Sequence, residues 1–579
     1  MRPLSRLAAL SVLLLNACYP PGDGKAPPLE ELYFPTGLAL DGYSKSEIDQ
    51  GAPRYLYLAN SDFDLQYRAA SVISYDLDLV RKVVPRSCNK TADCMADGAN
   101  AICDAPGVAG IPTDPNRVPT YYCVDSSDSP SRGARTPSEP CGAFGERDEA
   151  DLVLTPGRCN WVDPIDPQDG TTGKLLVHKV GIGAFATDVI WRAAPTGSAH
   201  QSRLFVPVRG DSTLHWIDVD DGVFSCGQDN GDNDDGCDSL HRSGDVPSDN
   251  LDALRQPAEP FALDVSPDGD FVAITNQTSG TVSLYDNDWR DDVGPKLSSI
   301  LGGLPLAPVG IAALPRSVLP DGTDQDPGFL VSYRTAAQID LLRVLTDKTT
   351  ENGVGRQDYT RHALRRAGSI PINENSLGFD SRGIAIDDPA RAACEATFAD
   401  CASSGSDVDT CKAERATCLR AVHEQSKVYV ASRAPASLLV GAMTADVNYP
   451  DGSTWLPSFS NSLALTFGPS RVVMGDVKVP GTTQQDSAGS YDLERRVFVI
   501  CFDSRRIFVY DPKRRLIEAI VSTGRGPHAL AVDGTRGLAY LGHFTDSYLG
   551  VISLDQRFPQ TYATIVASIG APKAPRTSK

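Results

Sequence analysis

One unit recurs along this chain, and a sequence that repeats a short unit folds as that unit dictates. The clearest copy is EPFALDVSPDGDFVAITNQTSGTVSLYDN, residues 259–287. It reads as three short strands, because apolar residues alternate with a period of two and turn residues interrupt them at 266–269 and 277–280. The first strand can be laid down seven times, from Phe34, Phe185, Glu259, Ala307, Asp380, Val472 and Gly526. Its fourth position is then Gly37, Asp188, Ala262, Gly310, Gly383, Gly475 and Ala529, nearly always small, while positions five and seven are mostly bulky. A thin face against a thick one suits sheets packed face to face around an axis.

The second strand also recurs seven times, from YLYLAN to GLAYLG, and five copies of the third end in Asp, at Asp76, Asp218, Asp286, Asp511 and Asp555. Arg343 and Ala442 stand there in the fourth and fifth copies. With PxG, SPDG and YD motifs in order, the unit resembles the YVTN-repeat family of beta-propellers, cousins of the WD-repeat proteins. The resemblance implies an all-β fold with seven four-stranded blades over residues 34–570, closed by a last outer strand from 561–569. The copies that start at Glu259 and Val472 are followed by the next after only 48 and 54 residues, so longer spacings are insertions: 85–173, 224–256 and 388–425. The formal charge is −20, or −22 once a leader holding Arg2 and Arg6 is removed, which disfavours nucleic acid and anionic lipid headgroups as partners.

At the amino terminus, Arg2 and Arg6 precede an apolar run from Leu7 to Leu15 that is too short to span a bilayer. Residues 1–17 therefore read as a signal peptide, and Leu15-Asn16-Ala17-Cys18 resembles the lipobox of bacterial lipoproteins. That resemblance implies acylation of Cys18 and a stable anchor, with Tyr19 in place of a retention Asp pointing to the outer membrane. Ordinary secretion with Cys18 in a disulfide is the alternative. Residues 18–33 form a tether and 571–579 a tail.

Cysteine usage agrees with export. Cys88, Cys94, Cys103, Cys123, Cys141 and Cys159 lie in the first insertion, where their pairing stays open. Cys226 and Cys237 are expected to close the acidic loop. Cys394/Cys401 and Cys411/Cys418 are each seven apart in Ala-rich helical stretches, so each pair shares a helix face with about 10.5 Å between its members along the axis. Antiparallel helices then pair Cys394 with Cys418 and Cys401 with Cys411, and the axial separation argues against a four-cysteine zinc site. Cys501 is left over as a buried strand residue.

Inter-blade links and the turns between second and third strands emerge on one face of such a ring. The insertion 85–173 and the acidic loop are both assigned to that face, as the binding face, with the helical hairpin opposite. Residues opening the first strands line the channel mouth: Thr36, Thr187, Phe261, Val309, Arg382, Met474 and His528. Second strands close on Ser61, Arg209, Asn276, Arg334, Arg433, Phe502 and His543. Arg334, Arg382 and Arg433 on adjacent blades could bind a carboxylate or phosphate. The plainer account is that each pairs with a neighbouring Asp.

The acidic loop between Cys226 and Cys237 has oxygen ligands for calcium but not the EF-hand spacing, since Gly231 stands where the first acidic ligand should be. Solvated acids explain it more simply. Two functions from different classes remain. One is a non-catalytic, lipid-anchored module that binds an envelope protein or glycan, without cofactor or metal. The other is an enzyme at the channel mouth, lactonase-like or quinoprotein-dehydrogenase-like. For the latter, Asp188, Asp264, Asp476 and Asp533 lie on or beside first strands but in different phases, and no GxSxG, HExxH or P-loop is present.

Overall fold

The computed structural model describes residues 27–571 except 43–51, 85–86, 89–100, 105–120, 126–160, 166–172, 196, 228–235, 291–292, 317, 319–324, 350–358, 373–378, 404–405, 423–425, 447–453, 487 and 560. Among the described residues seven antiparallel sheets follow one another as blades, and an eighth, of three strands, lies within the first insertion. Blade three shows the unit at its barest, with strands Pro260–Val265, Phe271–Asn276, Thr281–Asp286 and Lys296–Leu301. Its first turn closes where the Gly269 amide donates to the Ser266 carbonyl at 2.9 Å, with Gly269 at φ 78°. The closing aspartates work locally as caps. Asp76 accepts from the amides of Asp78 and Leu79, and Asp511 from those of Lys513 and Arg514.

Buried apolar side chains gather into seven clusters, each at the seam between neighbouring blades. The seam between blades seven and one includes Leu56, Ile73, Tyr540 and Val551, so ring closure is itself a hydrophobic interface. As expected, Thr564–Ile569 is the outer strand of blade seven. Unexpectedly, Trp161–Val162 from the first insertion adds a parallel fifth strand beyond it.

The joint between blades has a backbone signature. One residue at the entry to the first strand has positive φ in all seven blades: Phe34, Phe185, Glu259, Ala307, Asp380, Gly468 and Gly526. Phe185 shows why. Its amide donates to the Ser61 carbonyl of blade one and its carbonyl accepts from Arg209 of its own blade, so one left-handed residue ties two blades together. This signature corrects the register of blade six, which starts at Gly468 rather than Val472. Its fourth position is therefore Arg471, not Gly475, and Ser470 replaces Met474 at the mouth. The first strand there runs through Pro469–Asp486, and so long a strand allows a slide by four residues, with Gly475 offering a second small position. Blade two departs as well, since only Ile190–Ala193 pairs continuously and Ala186 makes an isolated bridge to Val208.

A second correction concerns faces. We call upper the face where first strands begin, and lower the opposite one. The fourth strand of blade one is Leu176–Ile182, so the first insertion sits between its third and fourth strands and emerges on the lower face. There it joins the helical hairpin and the extended hairpins of blades four, five and six, at Gln338–Thr349/Tyr359–Pro371, Ala436–Asp446/Thr454–Ala464 and Pro469–Asp486/Gly489–Cys501. Only the acidic loop and the amino-terminal segment lie on the upper face.

The helices of the hairpin span Pro389–Ser403 and Val408–Ala421, the second capped by Asp407. Cys394–Cys418 and Cys401–Cys411 bond as expected, as do Cys226–Cys237. Cys88 pairs with Cys103. These bonds indicate an oxidising, extracytoplasmic compartment. Reduction is expected to free the hairpin, since removing a disulfide typically costs about 2–5 kcal/mol and among its described residues the hairpin buries only Cys394, Cys411, Arg391, Arg415 and Leu419. Hydrogen exchange should then quicken across residues 389–421 while blade strands stay protected.

Candidate functional site

Inner strands converge so closely that five fourth positions must stay small. A Cβ on Gly310 would lie 2.6 Å from the Arg382 carbonyl oxygen, and one on Gly383 would lie 2.9 Å from the Arg471 Cα. The two large fourth-position residues, Asp188 of blade two and Arg471 of blade six, meet across the axis. The guanidinium holds both carboxylate oxygens, at 3.1 and 2.7 Å. Burial pushes the Asp188 carboxyl above its usual range even against that guanidinium.

His528 stands beside this pair. Its Nδ1 lies 2.9 Å from the Thr36 carbonyl oxygen, which can only accept, so Nδ1 carries the proton and Nε2 the lone pair. The ring keeps some exposure to the lumen, yet protein surrounds it; burial, with Arg471 nearby, depresses its pKa to about 3. At neutral pH it is an uncharged acceptor. Its ring Cε1–H resonance is expected to hold still as pH falls from about 8 to about 5, whereas a free imidazole titrates near 6.5.

Arg334, Arg382 and Arg433 do come together, and each meets an aspartate. Arg382 and Arg334 share Asp380, at 2.7 and 3.7 Å, and Arg433 pairs with Asp503. The Arg382 pKa is lowered by burial first, and by its two arginine neighbours. Three guanidiniums against two carboxylates leave one positive charge over.

An aromatic group that the sequence reading missed occupies the other side of the mouth. Phe544 lies 5.1 Å from Phe34, 5.3 Å from Phe63 and 5.9 Å from His528. Asn276 and His543 do end their second strands, but the positions equivalent to Ser61 and Arg209 are one residue further on, where the Gln277 and Phe544 amides donate to the Glu259 and Gly526 carbonyls. Asn276 and His543 are buried one position earlier. The Gly-Pro of 526–527, repeated at 468–469, was the signal that relates the registers of blades seven and six.

The four carboxylates considered for a metal do not converge. Asp188 holds Arg471, Asp264 holds Arg192, Asp476 faces Arg495, and Asp533 is buried against Arg536. Among the described residues no three His, Cys, Asp or Glu side chains group as a metal site. Cys501 is buried and unbonded, its thiol pushed up to about 11 by burial. Cys18, the acids at 228–235, and Cys94, Cys141 and Cys159 lie outside the described residues, as does the side chain of Cys123.

No protein-family model matches the chain, and no curated protein matches it. Among solved structures, it is similar to the periplasmic gluconolactonase of Pseudomonas aeruginosa, with 11% identity over 85% of this chain and 86% of that one, at a TM-score of 0.39. A putative 6-phosphogluconolactonase from Bacteroides uniformis matches at 10% identity over 85% and 98%, at 0.37. A functionally unknown protein from Desulfotomaculum acetoxidans matches at 13% over 69% and 93%, at 0.36. The fold assignment rests on the seven sheets themselves.

Proposed function

We propose that this is a cell-envelope lipoprotein, anchored through Cys18 in the outer membrane, whose propeller is a non-catalytic binding module for an envelope protein or glycan. The observation that carries this reading is the uneven decoration of the ring. The disulfide-bonded hairpin and three extended β-hairpins project from the lower face, where the chain also leaves blade one for the first insertion, and a rigid scaffold can present them there for recognition. The amino-terminal segment leaves from the upper face, so an anchor there turns the decorated face away from the bilayer.

Affinity purification from the solubilised envelope tests it, beside a variant in which a short Gly/Ser turn replaces residues 389–421. A stoichiometric partner, present with the intact chain and depleted from the variant, is the expected result. A bound small molecule retained by both, with no partner, overturns it in favour of the channel mouth. The surplus positive charge among Arg334, Arg382 and Arg433 supports that second reading, a site for a small anion with an apolar body lying against Phe34, Phe63 and Phe544.

A further inference from the structure

Exposed apolar residues are not spread evenly over the ring. Among the described residues eleven large apolar side chains stand exposed. Seven belong to the upper face: Phe63 and Leu65 between the second and third strands of blade one, and Leu240, Val246, Leu306, Phe379 and Phe467 on inter-blade links or strand starts. Phe467 and Leu306 are 67% and 59% exposed. The other four, Val223, Val408, Leu516 and Ile520, are divided between the lower face and outer strands. Soluble surfaces carry single exposed apolar residues routinely, but seven of eleven gathered on the less decorated face point to a docking surface.

The chain's own geometry says what meets that face. Pro27, the first described residue, lines an upper-face cavity of about 430 Å³ with Gly183, Asp211 and Arg242. Lys179 holds Glu30 at 2.9 Å and Leu32 is buried in the seam of blades seven and one, so the segment is fixed to the ring up to its upper rim. Nine residue steps separate Cys18 from Pro27, a reach of roughly 30 Å at most when fully extended.

We infer that the upper face rests on the lipid surface to which the chain is tethered, with Phe63, Leu306, Phe379 and Phe467 entering the headgroup layer. This rests on the anchoring of Cys18. The contact is apolar rather than electrostatic: the chain is acidic, and Asp380 and Asp503 offset all but one of the three arginine charges around the mouth. It therefore fits a zwitterionic surface.

Hydroxyl-radical footprinting tests the inference on the full mature lipoprotein, reconstituted in phosphatidylcholine/phosphatidylethanolamine vesicles and compared with exported Cys18→Ser protein free in solution. Oxidation of Phe63, Leu306, Phe379 and Phe467 should fall at least about fivefold on the vesicle, while Val408, Leu516 and Ile520 react as before. Salt should not restore it, since the contact does not depend on charge. Equal oxidation of all seven residues in both samples overturns docking. So does protection that already appears in the free protein and grows with its concentration, since a second copy would then be the occupant. Intact mass reports the anchor separately. If acyl chains are absent, the anchor reading fails by itself, and footprinting of the free protein with excess vesicles decides the face: no protection there overturns it too.

Discussion

Replacing Gly37 by Val is expected to destabilise the ring by about 3 kcal/mol or more, as overpacking against immobile atoms does. A Cβ at this position would lie 2.4 Å from the Val189 amide nitrogen and 2.6 Å from the Asp188 carbonyl carbon. Both belong to the backbone of the next blade, which cannot swing aside as the end of a side chain can. The strain would fall where all seven inner strands converge, so it should lower the denaturation midpoint of the whole ring. Gly173 is the matched control, because nothing lies within 4 Å of its added Cβ. Gly173→Ala should leave the midpoint where it was. An unmoved midpoint for Gly37→Val would mean that the inner strands do not pack as described.

Arg471→Ala should rank second. It leaves the Asp188 carboxylate enclosed without its guanidinium, and because the two side chains keep 24% and 15% of their exposure, the full cost of a stranded buried charge is discounted to about 2–3 kcal/mol. The pH dependence carries the diagnosis. A carboxyl whose folded pKa lies above its unfolded value binds protons more readily when folded, so its ionisation costs stability as pH rises through that interval. Losing Arg471 raises the folded pKa further. The difference between variant and parent should thus be full at neutral pH and shrink as acid neutralises Asp188. Arg471→Met with Asp188→Leu should recover most of the loss, since removing both charges strands neither. A difference independent of pH would show that Arg471 acts by packing alone.

Several elements were legible in the chain because their causes are local. Alternation over six residues makes a blade strand wherever it occurs, and SPDG makes its turn from side-chain and backbone preferences within the turn itself. The helical hairpin is similar: two seven-residue cysteine spacings on antiparallel helices admit only one pairing with reasonable geometry, and that pairing forms. The register of blade six was harder. Its first strand runs for 18 residues with Val472, Val473, Val477 and Val479 spread along it, so a reading displaced by four still finds a small fourth residue at Gly475, and only the left-handed backbone at Gly468 anchors it. The first insertion was misplaced for a related reason. Residues 77–83 follow the third strand as a helix capped by Asp76, while the fourth strand comes almost a hundred residues later, so nothing next to the third strand showed where its partner lay.

The sequence by itself thus determined the repeating sheets, the turn chemistry and the disulfides Cys226–Cys237, Cys394–Cys418 and Cys401–Cys411. It also placed Arg334 on one blade and Arg382 and Arg433 on the next, because a repeat puts its strand ends at the same mouth. Only the tertiary structure decided what those charges meet, that Phe34, Phe63 and Phe544 gather opposite them, and that Asp188 and Arg471, 283 residues apart, join across the axis. The physical reason is range: strand period and turn preference act over a few neighbouring residues, whereas the partner of a charge at the centre of a ring exists only once the last blade has packed against the first.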